Sequence, residues 1–442
     1  MKKIYTTIVI MLAFVFAGLS ANGQSWSAVG SGTGGFSSVN ALTVYNGKLY
    51  LGGGFNSAGG IPANRIASWD GTVYDSLGGG LQFGQGVYSL TVLNNNLYAG
   101  GWFTMAGSVS ASNIAMWNGT TWSALGLGIS GPNYPDVAAL TSYNGNIYAG
   151  GNFTTAGGNS ANYIAEWNGT TWSALGSGMN NAVDALVVYN GNLYAGGTFT
   201  TAGGNSANHI AKWNGTTWSA LGSGTNNEVM ALAVYNGNLI ASGYFTTAGG
   251  NSANSIAQWN GTTWSALGSG LTTWTPTQAL DTFNNNLYAG GWFNIAGGIT
   301  AHSIAQWNGS AWDSLGSGSD SVFAICGYNA GLYIGGGFSY AGGNSANKIA
   351  VWGPFTTGIK EENNHSNIII YPNPATTLLT IHQSIPSPNQ QLIITDLLGN
   401  EVYKEILTGI DNTISISTWS AGIYFYEVRS TTSIARGKFV VN

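Results

Sequence analysis

The chain has 442 residues and a formal net charge of −5, and its composition is unusual: 6% of residues are charged, 12% are aromatic and 68 are glycine. This composition excludes a disordered chain, which would be charged and poor in aromatic residues, and the lack of a basic patch argues against a nucleic-acid partner. The single cysteine, Cys326, excludes an internal disulfide framework, and its apolar sequence surroundings predict an inert, buried thiol.

The first 23 residues have the pattern of a secretory signal peptide. Two lysines precede an apolar run from about Ile4 to Leu19, and small residues follow it. A charged start, an apolar segment and a small-residue cleavage site are the three parts of such a peptide, and the run is short for a membrane-spanning helix. We predict cleavage after Gly23 or Ala21 and export of the remaining chain. No later stretch is apolar enough to span a membrane, so no transmembrane segment is expected after cleavage.

Seven copies of one repeat occupy the chain from residue 24 to residue 354. The copy from Tyr148 to Gly178 reads YAGGNFTTAGGNSANYIAEWNGTTWSALGSG, and the copy that starts at Tyr194 is nearly identical. Every copy has a phenylalanine near its middle and a tryptophan 14 residues later. The phenylalanines, 45 to 50 residues apart, are Phe55, Phe103, Phe153, Phe199, Phe245, Phe293 and Phe338. All length variation therefore lies between the W-S-A-L-G run and the next V-x-A-L run.

Each repeat predicts four β-strands. In the fourth copy, the first strand runs from Val183 to Tyr189 and ends at Asn190-Gly191, the strongest short hairpin signal. The runs N-L-Y-A-G-G and I-A-K-W predict the second and third strands, and a second Asn-Gly pair leads to W-S-A-L-G as the fourth. A four-stranded unit of about 46 residues is typical of a β-propeller blade.

The two ends of the repeat region predict that it closes into a ring. The last copy stops after its third strand at Trp352, and the missing W-S-A run appears at the front of the region as Trp26-Ser27-Ala28. A shared sheet removes the open edges that a solenoid would keep. The predicted fold is therefore all-β: a seven-bladed β-propeller over residues 24–354, closed by its N-terminal strand and followed by a small Ig-like β-sandwich.

The repeat resembles known propeller families. The glycine pair after an apolar strand, the following aromatic residue and W-x-x-L-G resemble a kelch-type repeat. The string GGNFTTAGG, followed by N-x-I-A-x-W-N-G-T-T-W-S-A-L-G, is similar to repeats of fungal cortical polarity-marker surface proteins. The resemblance covers about residues 24 to 353 and implies a kelch-like propeller. It leaves the function open, because propellers serve both as binding modules and as enzymes.

The C-terminal part has a different composition. Residues 355–367 are polar and charged and predict a linker, whereas residues 368–442 lack the repeat and alternate apolar with polar positions, which predicts an antiparallel sandwich. Four motifs occur there in order, and their residues are Tyr371, Pro372, Asn373, Pro374, Gly399, Gly422, Tyr424, Gly437 and Lys438. Together they resemble the Por secretion C-terminal sorting domain, type A, of type IX secretion cargo. The resemblance implies the type IX machinery as a partner, with release or attachment at the cell surface; an unrelated Ig-like module is the alternative.

Residue chemistry gives little support for catalysis. The repeat region has nine acids and two histidines, His209 and His302, and it contains neither a G-x-S-x-G nor an H-E-x-x-H motif. We therefore predict no metal, no cofactor and no catalytic residues. Asn-Gly-Thr triplets match the N-glycosylation pattern, but in the predicted fold they form hairpin turns.

One face of the predicted propeller is the candidate binding surface. Successive turns of a blade alternate between the two faces, so the glycine-pair loops and the variable connections share one face. Length variation on a rigid scaffold is typical of binding surfaces. The candidate residues on this face are Phe83, Trp102, Tyr134, Asp136, Trp274, Trp292 and Asp320. Exposed aromatic rings with few charges suit sugar stacking or a protein contact, unless the rings pack between blades.

We expect an exported, monomeric protein, secreted or attached to the cell surface, that binds a glycan or a protein through this long-loop face. One alternative is a polysaccharide-active enzyme, a glycoside hydrolase or lyase, with Asp136 and Asp320 among its carboxylates. A second alternative is a structural surface or adhesin component that associates with itself.

Overall fold

The computed structural model of the protein describes residues 24–35, 38–272, 277–354, 368–372, 374–383, 390–396, 400–430 and 434–441. The predicted signal peptide and linker lie outside the described residues, as do three predicted site residues, Trp274, Asn373 and Gly399. All regular elements of the described residues are β-strands, which confirms the predicted all-β class. The chain divides into two compact units, Met1–Pro354 and Phe355–Asn442, here called the repeat unit and the tail unit.

The described part of the repeat unit contains seven four-stranded antiparallel sheets, one for each copy of the repeat. Within a sheet the strands lie side by side in chain order, except that the N-terminal strand takes the fourth place in sheet 7. From first to fourth, the strands are Val39–Tyr45, Lys48–Gly53, Ile66–Trp69 and Tyr74–Ser76 in sheet 1; Gly86–Leu93, Asn96–Trp102, Ile114–Trp117 and Trp122–Ala124 in sheet 2; Ala139–Tyr143, Asn146–Gly150, Ile164–Trp167 and Trp172–Ala174 in sheet 3; Val183–Tyr189, Asn192–Gly197, Ile210–Trp213 and Trp218–Ala220 in sheet 4; Val229–Tyr235, Asn238–Gly243, Ile256–Trp259 and Trp264–Ala266 in sheet 5; Thr277–Phe283, Asn286–Gly291, Ile304–Trp307 and Trp312–Ser314 in sheet 6; and Val322–Tyr328, Gly331–Gly336, Ile349–Pro354 and Gln24–Ala28 in sheet 7.

Two kinds of turn connect the strands of a sheet. In sheet 4 the first and second strands are joined by Asn190 and Gly191, whose φ angles of 46° and 69° are both positive, as a type I′ turn requires. The third and fourth strands are joined by four residues. There the Oδ1 atom of Asn214 accepts hydrogen bonds from the backbone N–H groups of Thr216 and Thr217, both at 2.9 Å. This is an Asx turn rather than the two-residue hairpin predicted, because an asparagine side chain can cap its own turn.

A buried aromatic side chain ties each sheet to the sheet before it. In sheet 3 the indole Nε1–H of Trp172 donates to the carbonyl oxygen of Leu125, which follows the fourth strand of sheet 2, at 2.8 Å. In sheet 1 the hydroxyl of Tyr74 donates to the carbonyl oxygen of Val29 at 2.8 Å. The equivalent tryptophans of the other sheets are Trp122, Trp218, Trp264, Trp312 and Trp26. Because Val29 follows the N-terminal strand, the series also links sheet 7 to sheet 1.

Close backbone contacts form a second series in the same order. Gly196, the first glycine of the pair in sheet 4, lies so near sheet 5 that an added Cβ would be 2.5 Å from Cγ1 of Val229. Sheets 1, 2, 3 and 6 have equivalent contacts, and Gly335 of sheet 7 makes one with Val39 of sheet 1. The first strands of successive sheets also contact one another, and that of sheet 7 contacts that of sheet 1. The contacts between the seven sheets are therefore cyclic.

Sheet 7 combines both ends of the repeat region. Gln24–Ala28 pairs with Ile349–Pro354, and Trp26 lies opposite Trp352. This pairing confirms the predicted source of the fourth strand. The third strand ends at Pro354, two residues beyond its predicted end, because the N-terminal strand extends the pairing to that residue.

The loop between the second and third strands is a small hairpin of two-residue strands, which the sequence does not predict. Its glycine pair has positive φ, 59° at Gly203 and 82° at Gly204 in sheet 4, a conformation that glycine adopts readily in a tight loop. From sheet 1 to sheet 7 the paired strands are Ser57–Ala58 with Ile61–Pro62, Met105–Ala106 with Val109–Ser110, Thr155–Ala156 with Asn159–Ser160, Thr201–Ala202 with Asn205–Ser206, Thr247–Ala248 with Asn251–Ser252, Ile295–Ala296 with Ile299–Thr300, and Tyr340–Ala341 with Asn344–Ser345. The first three hairpins gain a third strand, which is Thr33–Gly34, Leu81–Gln82 or Ile129–Ser130.

The described part of the tail unit consists of two antiparallel sheets. The three-stranded sheet contains Ile368–Tyr371, Leu378–Gln383 and Asp411–Ser415, and the four-stranded sheet contains Glu401–Leu407, Gln390–Thr395, Gly422–Arg429 and Ile434–Val441. Leu379 of the first sheet and Leu392 of the second belong to one buried cluster. The described chain contains no helical segment with the length and hydrophobicity that a membrane span requires.

Candidate functional site

One position in the first strand differs from sheet to sheet, while its neighbours are nearly constant. In sheet 4 it is Asp184, between Val183 and Ala185, and the pairing with the second strand skips it as a β-bulge. Five other sheets have the same bulge. A bulge leaves the extra residue unpaired and re-aims its side chain. From sheet 1 to sheet 7 the residues at this position are Asn40, Tyr88, Ala138, Asp184, Met230, Gln278 and Phe323.

These variable residues surround a cavity to which all seven sheets contribute. It has a volume of about 200 Å³, and every variable residue except Met230 lines it. We call it the central cavity. Its volume is below the roughly 300–1,000 Å³ of pockets for drug-sized ligands, so it suits one small group of a larger ligand.

Asp184 lines the central cavity, and the carboxyl group of Glu228 lies near enough for the two side chains to shift each other's pKa. Two neighbouring carboxyl groups favour a state in which one of them is protonated. Burial, together with the nearby carboxylates of Glu228 and Asp136, raises the pKa of Asp184 to about 7. The Oδ2 atom of Asp184 and the Oε1 atom of Gln278 are buried and have no hydrogen-bond partner among the described residues.

We expect Asp184→Asn to flatten the dependence of stability on pH. The pKa of Asp184 is raised from 3.8 to about 7, so the folded state holds this proton more tightly than the unfolded state does. The resulting stabilisation is complete below about pH 4 and is lost as the pH rises towards 7. One pKa unit corresponds to about 1.4 kcal/mol, so the effect amounts to a few kcal/mol. Urea denaturation at pH 5 and pH 8 measures it.

The fall in unfolding free energy between these two pH values should be smaller in Asp184→Asn than in the wild type. The control is Asp313→Asn, at an exposed residue in the fourth strand of sheet 6, which should leave the fall unchanged. An equal fall in Asp184→Asn and the wild type would contradict the raised pKa of Asp184 at the central cavity.

Two pairs of aromatic rings are partly exposed, and one of them reaches the central cavity through Phe323. The ring centroids of Trp102 and Tyr134 are 5.1 Å apart, and those of Trp292 and Phe323 are 5.8 Å apart. Phe323 lines the central cavity, which brings Trp292 beside it. Tyr134 is 73% exposed and Trp292 is 50% exposed, whereas Trp102 is half-buried. Each pair therefore offers ring surface to solvent rather than packing entirely between sheets.

Phe83 and Tyr134 stand on strained backbone. Their φ angles are 56° and 60°, in the left-handed region that costs a non-glycine residue on the order of 1–3 kcal/mol. Phe83 is nevertheless 67% exposed. The guanidinium of Arg65 supports the connection that carries Phe83, because it donates hydrogen bonds to the carbonyl oxygens of Leu81 and Gly84 at 3.0 and 2.7 Å. Phe83 and Tyr134 are exposed aromatic rings on strained backbone. This combination favours a role of the two residues in binding rather than in stability.

Asp136 lies close to the central cavity. Its Oδ1 atom accepts a hydrogen bond from the backbone N–H of Asn152 at 3.0 Å, and burial raises its pKa. Its charge contributes to the raised pKa values of Asp184 and Tyr88, for which burial is the largest cause. Asp320, the other acid of the predicted enzyme alternative, lines a different cavity, and the described residues show no hydrogen bond between the two acids.

Sequence reasoning selected residues of the connections and missed the variable position in the first strand. Asp184 and Glu228 come from different copies of the repeat. Their side chains lie close together because of a β-bulge that no local sequence motif predicts. A signal was nevertheless present, because the residue after the first valine or threonine has seven different identities in seven otherwise similar strands.

Other chemistry in the described chain is limited. No three His, Cys, Asp or Glu side chains of the described residues are grouped so that they could hold a metal ion. The half-buried thiol of Cys326 lies beside Asp281, and burial raises its pKa to about 12. A thiol with such a pKa stays protonated near neutral pH and is a poor nucleophile.

The described sorting-motif residues take two kinds of position in the tail unit. Tyr424 is buried, and its ring centroid is 5.8 Å from that of Phe439 and 5.0 Å from that of Trp419. Gly437 makes room for Tyr426, because an added Cβ would be 2.5 Å from the tyrosine hydroxyl. The motif residues at the surface are Tyr371, Pro372, Pro374, Gly422 and Lys438.

A family comparison identifies the tail. Residues 369–442 match the family described as secretion system C-terminal sorting domain. The match confirms the sorting domain predicted from the four motifs. The protein is therefore secreted by the type IX system to the cell surface or beyond it, and the machinery of that system is its partner during export.

Comparison with solved structures finds distant similarity along most of the chain. One match is PorZ, an essential bacterial surface component of the type IX secretion system of Porphyromonas gingivalis, with a TM-score of 0.45 and 14% identity over 91% of this chain and 59% of that chain. Another is the extracellular domain of the hybrid two-component system BT4673 of B. thetaiotaomicron, with a TM-score of 0.49 and 10% identity over 95% of this chain and 59% of that chain. A third is the computationally designed protein Ika8, with a TM-score of 0.44 and 16% identity over 75% of this chain and 100% of that chain. The chain spans less than two thirds of the length of the first two. No curated protein matches its sequence.

Proposed function

We propose that the exported protein is a closed, kelch-like, seven-bladed β-propeller that binds a glycan at its central cavity, with a protein ligand as the alternative. Its domains would be a signal peptide at 1–23, the propeller at 24–354, a linker at 355–367 and the sorting domain at 368–442. The cyclic contacts between the seven sheets support the ring, because each sheet then serves as one blade and the N-terminal strand closes the last.

The observation that carries the binding proposal is the concentration of sequence differences around one cavity. The repeats agree closely in the turns and in the residues that join the sheets. They differ at the bulged position, which faces the central cavity, and in the connections that carry the ring pairs Trp102–Tyr134 and Trp292–Phe323. Variation restricted to one part of a rigid scaffold is typical of a surface that recognises something.

The chemistry of this part favours a glycan. Asn40, Asp184 and Gln278 present planar carboxyl and amide groups at the central cavity, and Tyr88 adds a hydroxyl. Such groups form hydrogen bonds with sugar hydroxyls. Phe323, with Trp292 beside it, offers flat apolar faces on which a sugar ring can stack. A small polar cavity with rings at its edge suits one sugar of a chain better than a large apolar side chain.

A polysaccharide-active enzyme is the second candidate, because the carboxyl group of Glu228 lies near that of Asp184, which lines the cavity. Glycoside hydrolases hold their two carboxyl groups about 5–5.5 Å or about 6.5–9.5 Å apart, depending on mechanism. The central cavity is lined by Asp184 but not by Glu228, which favours binding over hydrolysis. Release of reducing ends from a bound polysaccharide, lost in Glu228→Gln, would favour the enzyme instead.

We expect Trp102→Ala and Tyr134→Ala each to weaken ligand binding about tenfold or more. Each change removes one ring of an exposed pair, and aromatic contacts at the centre of a binding surface carry much of its affinity. A glycan array and a pull-down from culture medium with the full mature chain would first identify the ligand. Titration calorimetry of the variants would then give the affinities.

The control for these variants is Val73→Ala, because Val73 is 61% exposed and lies in the turn between the third and fourth strands of sheet 1. It should bind like the wild type. If both aromatic variants kept full affinity for every detected ligand, the proposed surface would be wrong.

A further inference from the structure

A second cavity lies between the outer parts of sheets 6 and 7, and we call it the lateral cavity. It has a volume of about 260 Å³ and is lined by polar residues and glycines, among them Asn294, His302, Ser319, Asp320 and Tyr340. None of the variable strand residues around the central cavity contributes to it. The lateral cavity forms where this junction departs from the repeat at three positions.

The first departure is His302. At the same position in the neighbouring repeat Asn254 donates a hydrogen bond from its side-chain nitrogen to the carbonyl oxygen of Ser269 at 3.1 Å, which ties the hairpin to the following connection. The asparagines that make the equivalent bond are Asn64, Asn162, Asn208 and Asn347. In the described residues the imidazole of His302 makes no such bond. Its ring nitrogens are therefore free for a ligand.

The second departure is Ser319. Four of the other six junctions have an apolar side chain at this position: Leu81, Ile129, Met179 and Leu271. The other two junctions have Thr33, whose buried hydroxyl is also unpaired among the described residues, and Thr225, whose hydroxyl donates to the carbonyl oxygen of Asn227 at 2.8 Å. Ser319 is only 7% exposed, and its Oγ atom has no hydrogen-bond partner among the described residues. An unpaired buried hydroxyl is costly, and here it lines a cavity.

The third departure is Asp320. In the sheet 4 to sheet 5 junction the equivalent residue is Asn226, whose Oδ1 atom accepts hydrogen bonds from the backbone N–H groups of Thr246 and Thr247 at 2.8 and 2.9 Å. In the described residues the carboxylate of Asp320 accepts no hydrogen bond and is exposed. The hydroxyl of Ser303 instead donates to the backbone carbonyl oxygen of Asp320 at 2.8 Å, which fixes the backbone and leaves the carboxylate available.

We propose that the lateral cavity is a separate ligand site that binds one neutral sugar residue. Asp320 would accept hydrogen bonds from sugar hydroxyls, and Ser319 and His302 could each donate or accept one. Tyr340, which is 59% exposed, places an aromatic ring at the rim, where a sugar ring can stack. The lining has no apolar wall for a peptide side chain, and Asp320 disfavours an acidic sugar.

The repeat itself supplies the test variants. The triple substitution His302→Asn, Ser319→Thr and Asp320→Asn gives the junction the residues of the sheet 4 to sheet 5 junction, where Asn208, Thr225 and Asn226 are already compatible with the fold. The matched control makes the reverse exchange there, Asn208→His, Thr225→Ser and Asn226→Asp. It introduces the same side chains at a junction that lacks Tyr340 and Asn294.

Saturation-transfer NMR with the full mature chain would use glucose, galactose, mannose, fucose and N-acetylglucosamine as probes. We expect at least one of them to receive saturation from the wild type and from the matched control. The triple variant should lose the signal or bind at least tenfold more weakly, and Tyr340→Ala should weaken binding by a similar factor. Trp102→Ala should leave this signal unchanged, which separates the lateral cavity from the central one.

Four results would overturn the proposal. One is the absence of saturation transfer to every neutral sugar in the wild type, and another is a triple variant that binds as well as the wild type. The third is loss of the signal in Trp102→Ala but not in the triple variant, which would place the sugar at the central cavity instead. Binding of a neutral tetrapeptide that the five sugars cannot displace would likewise contradict a sugar site.

Discussion

Replacing Trp26 by alanine is expected to lower the unfolding free energy of the repeat unit by about 3–5 kcal/mol. Trp26 is 3% exposed, its Nε1–H donates to the carbonyl oxygen of Leu315 at 2.7 Å, and its ring centroid is 5.2 Å from that of Trp352. The change leaves a cavity in sheet 7 and a buried carbonyl oxygen without its donor. Both effects act on the strand that joins the two ends of the repeat region.

Urea denaturation followed by tryptophan fluorescence measures this effect, because only Trp419 of the 17 tryptophans lies beyond residue 354. Trp172→Ala, at the equivalent position in sheet 3, should cost a similar amount. Leu127→Ala, at a residue that is 75% exposed, should cost almost nothing. If Trp26→Ala behaved like Leu127→Ala, the N-terminal strand would not complete sheet 7 in solution.

The second large effect is expected from Gly196→Ser, which should lower the unfolding free energy by about 1–3 kcal/mol. An added Cβ at this position would be 2.5 Å from Cγ1 of Val229 in the next sheet. Sheet 5 shows how a larger residue can be accommodated. There Ser242 and Thr277 take the equivalent places, and the Ser242 hydroxyl donates to the carbonyl oxygen of Thr277 at 3.3 Å.

A double-mutant cycle in denaturant tests whether these two positions are coupled. Adding Val229→Thr to Gly196→Ser should recover part of the lost stability, with an interaction energy of about 0.5–3 kcal/mol. The converse pair, Ser242→Gly with Thr277→Val, should be tolerated because the six other junctions already contain glycine and valine. If the effects of Gly196→Ser and Val229→Thr were additive, packing between the sheets would not explain why glycine and valine occur together at these two positions.

The antiparallel sheets of the repeat unit were predictable because their signals are local. Asn190-Gly191 fixes a turn from two adjacent residues, and the constant spacing of phenylalanine and tryptophan fixes where each unit begins. The closing strand at Trp26 followed from counting strands in the last copy. The role of Gly196 was not predictable, because its close contact is with Val229 in another sheet and no spacing within one copy reveals it.

The candidate site was only partly predictable, for the same reason. The exposed rings of Phe83, Tyr134 and Trp292 stand out in the connections, where the copies differ in length. The pairing of Trp102 with Tyr134 depends on positive φ at Tyr134, which an aromatic residue rarely adopts. The meeting of Asp184 and Glu228 requires a bulge and two neighbouring sheets, so it appears only once the sheets are assembled.

The pairing of Trp26 with Trp352 also has a consequence for how fast the protein folds. Most strands of a sheet are joined by short turns and can meet by local search, whereas sheet 7 must bring together residues from opposite ends of the repeat unit. Contacts of such sequence separation slow folding, because the entropy of closing a long loop is lost before the contact forms. We therefore expect closure to be the last and slowest step. Until then one edge of Ile349–Pro354 is unpaired, and a strand of a second, incompletely folded chain could pair with it.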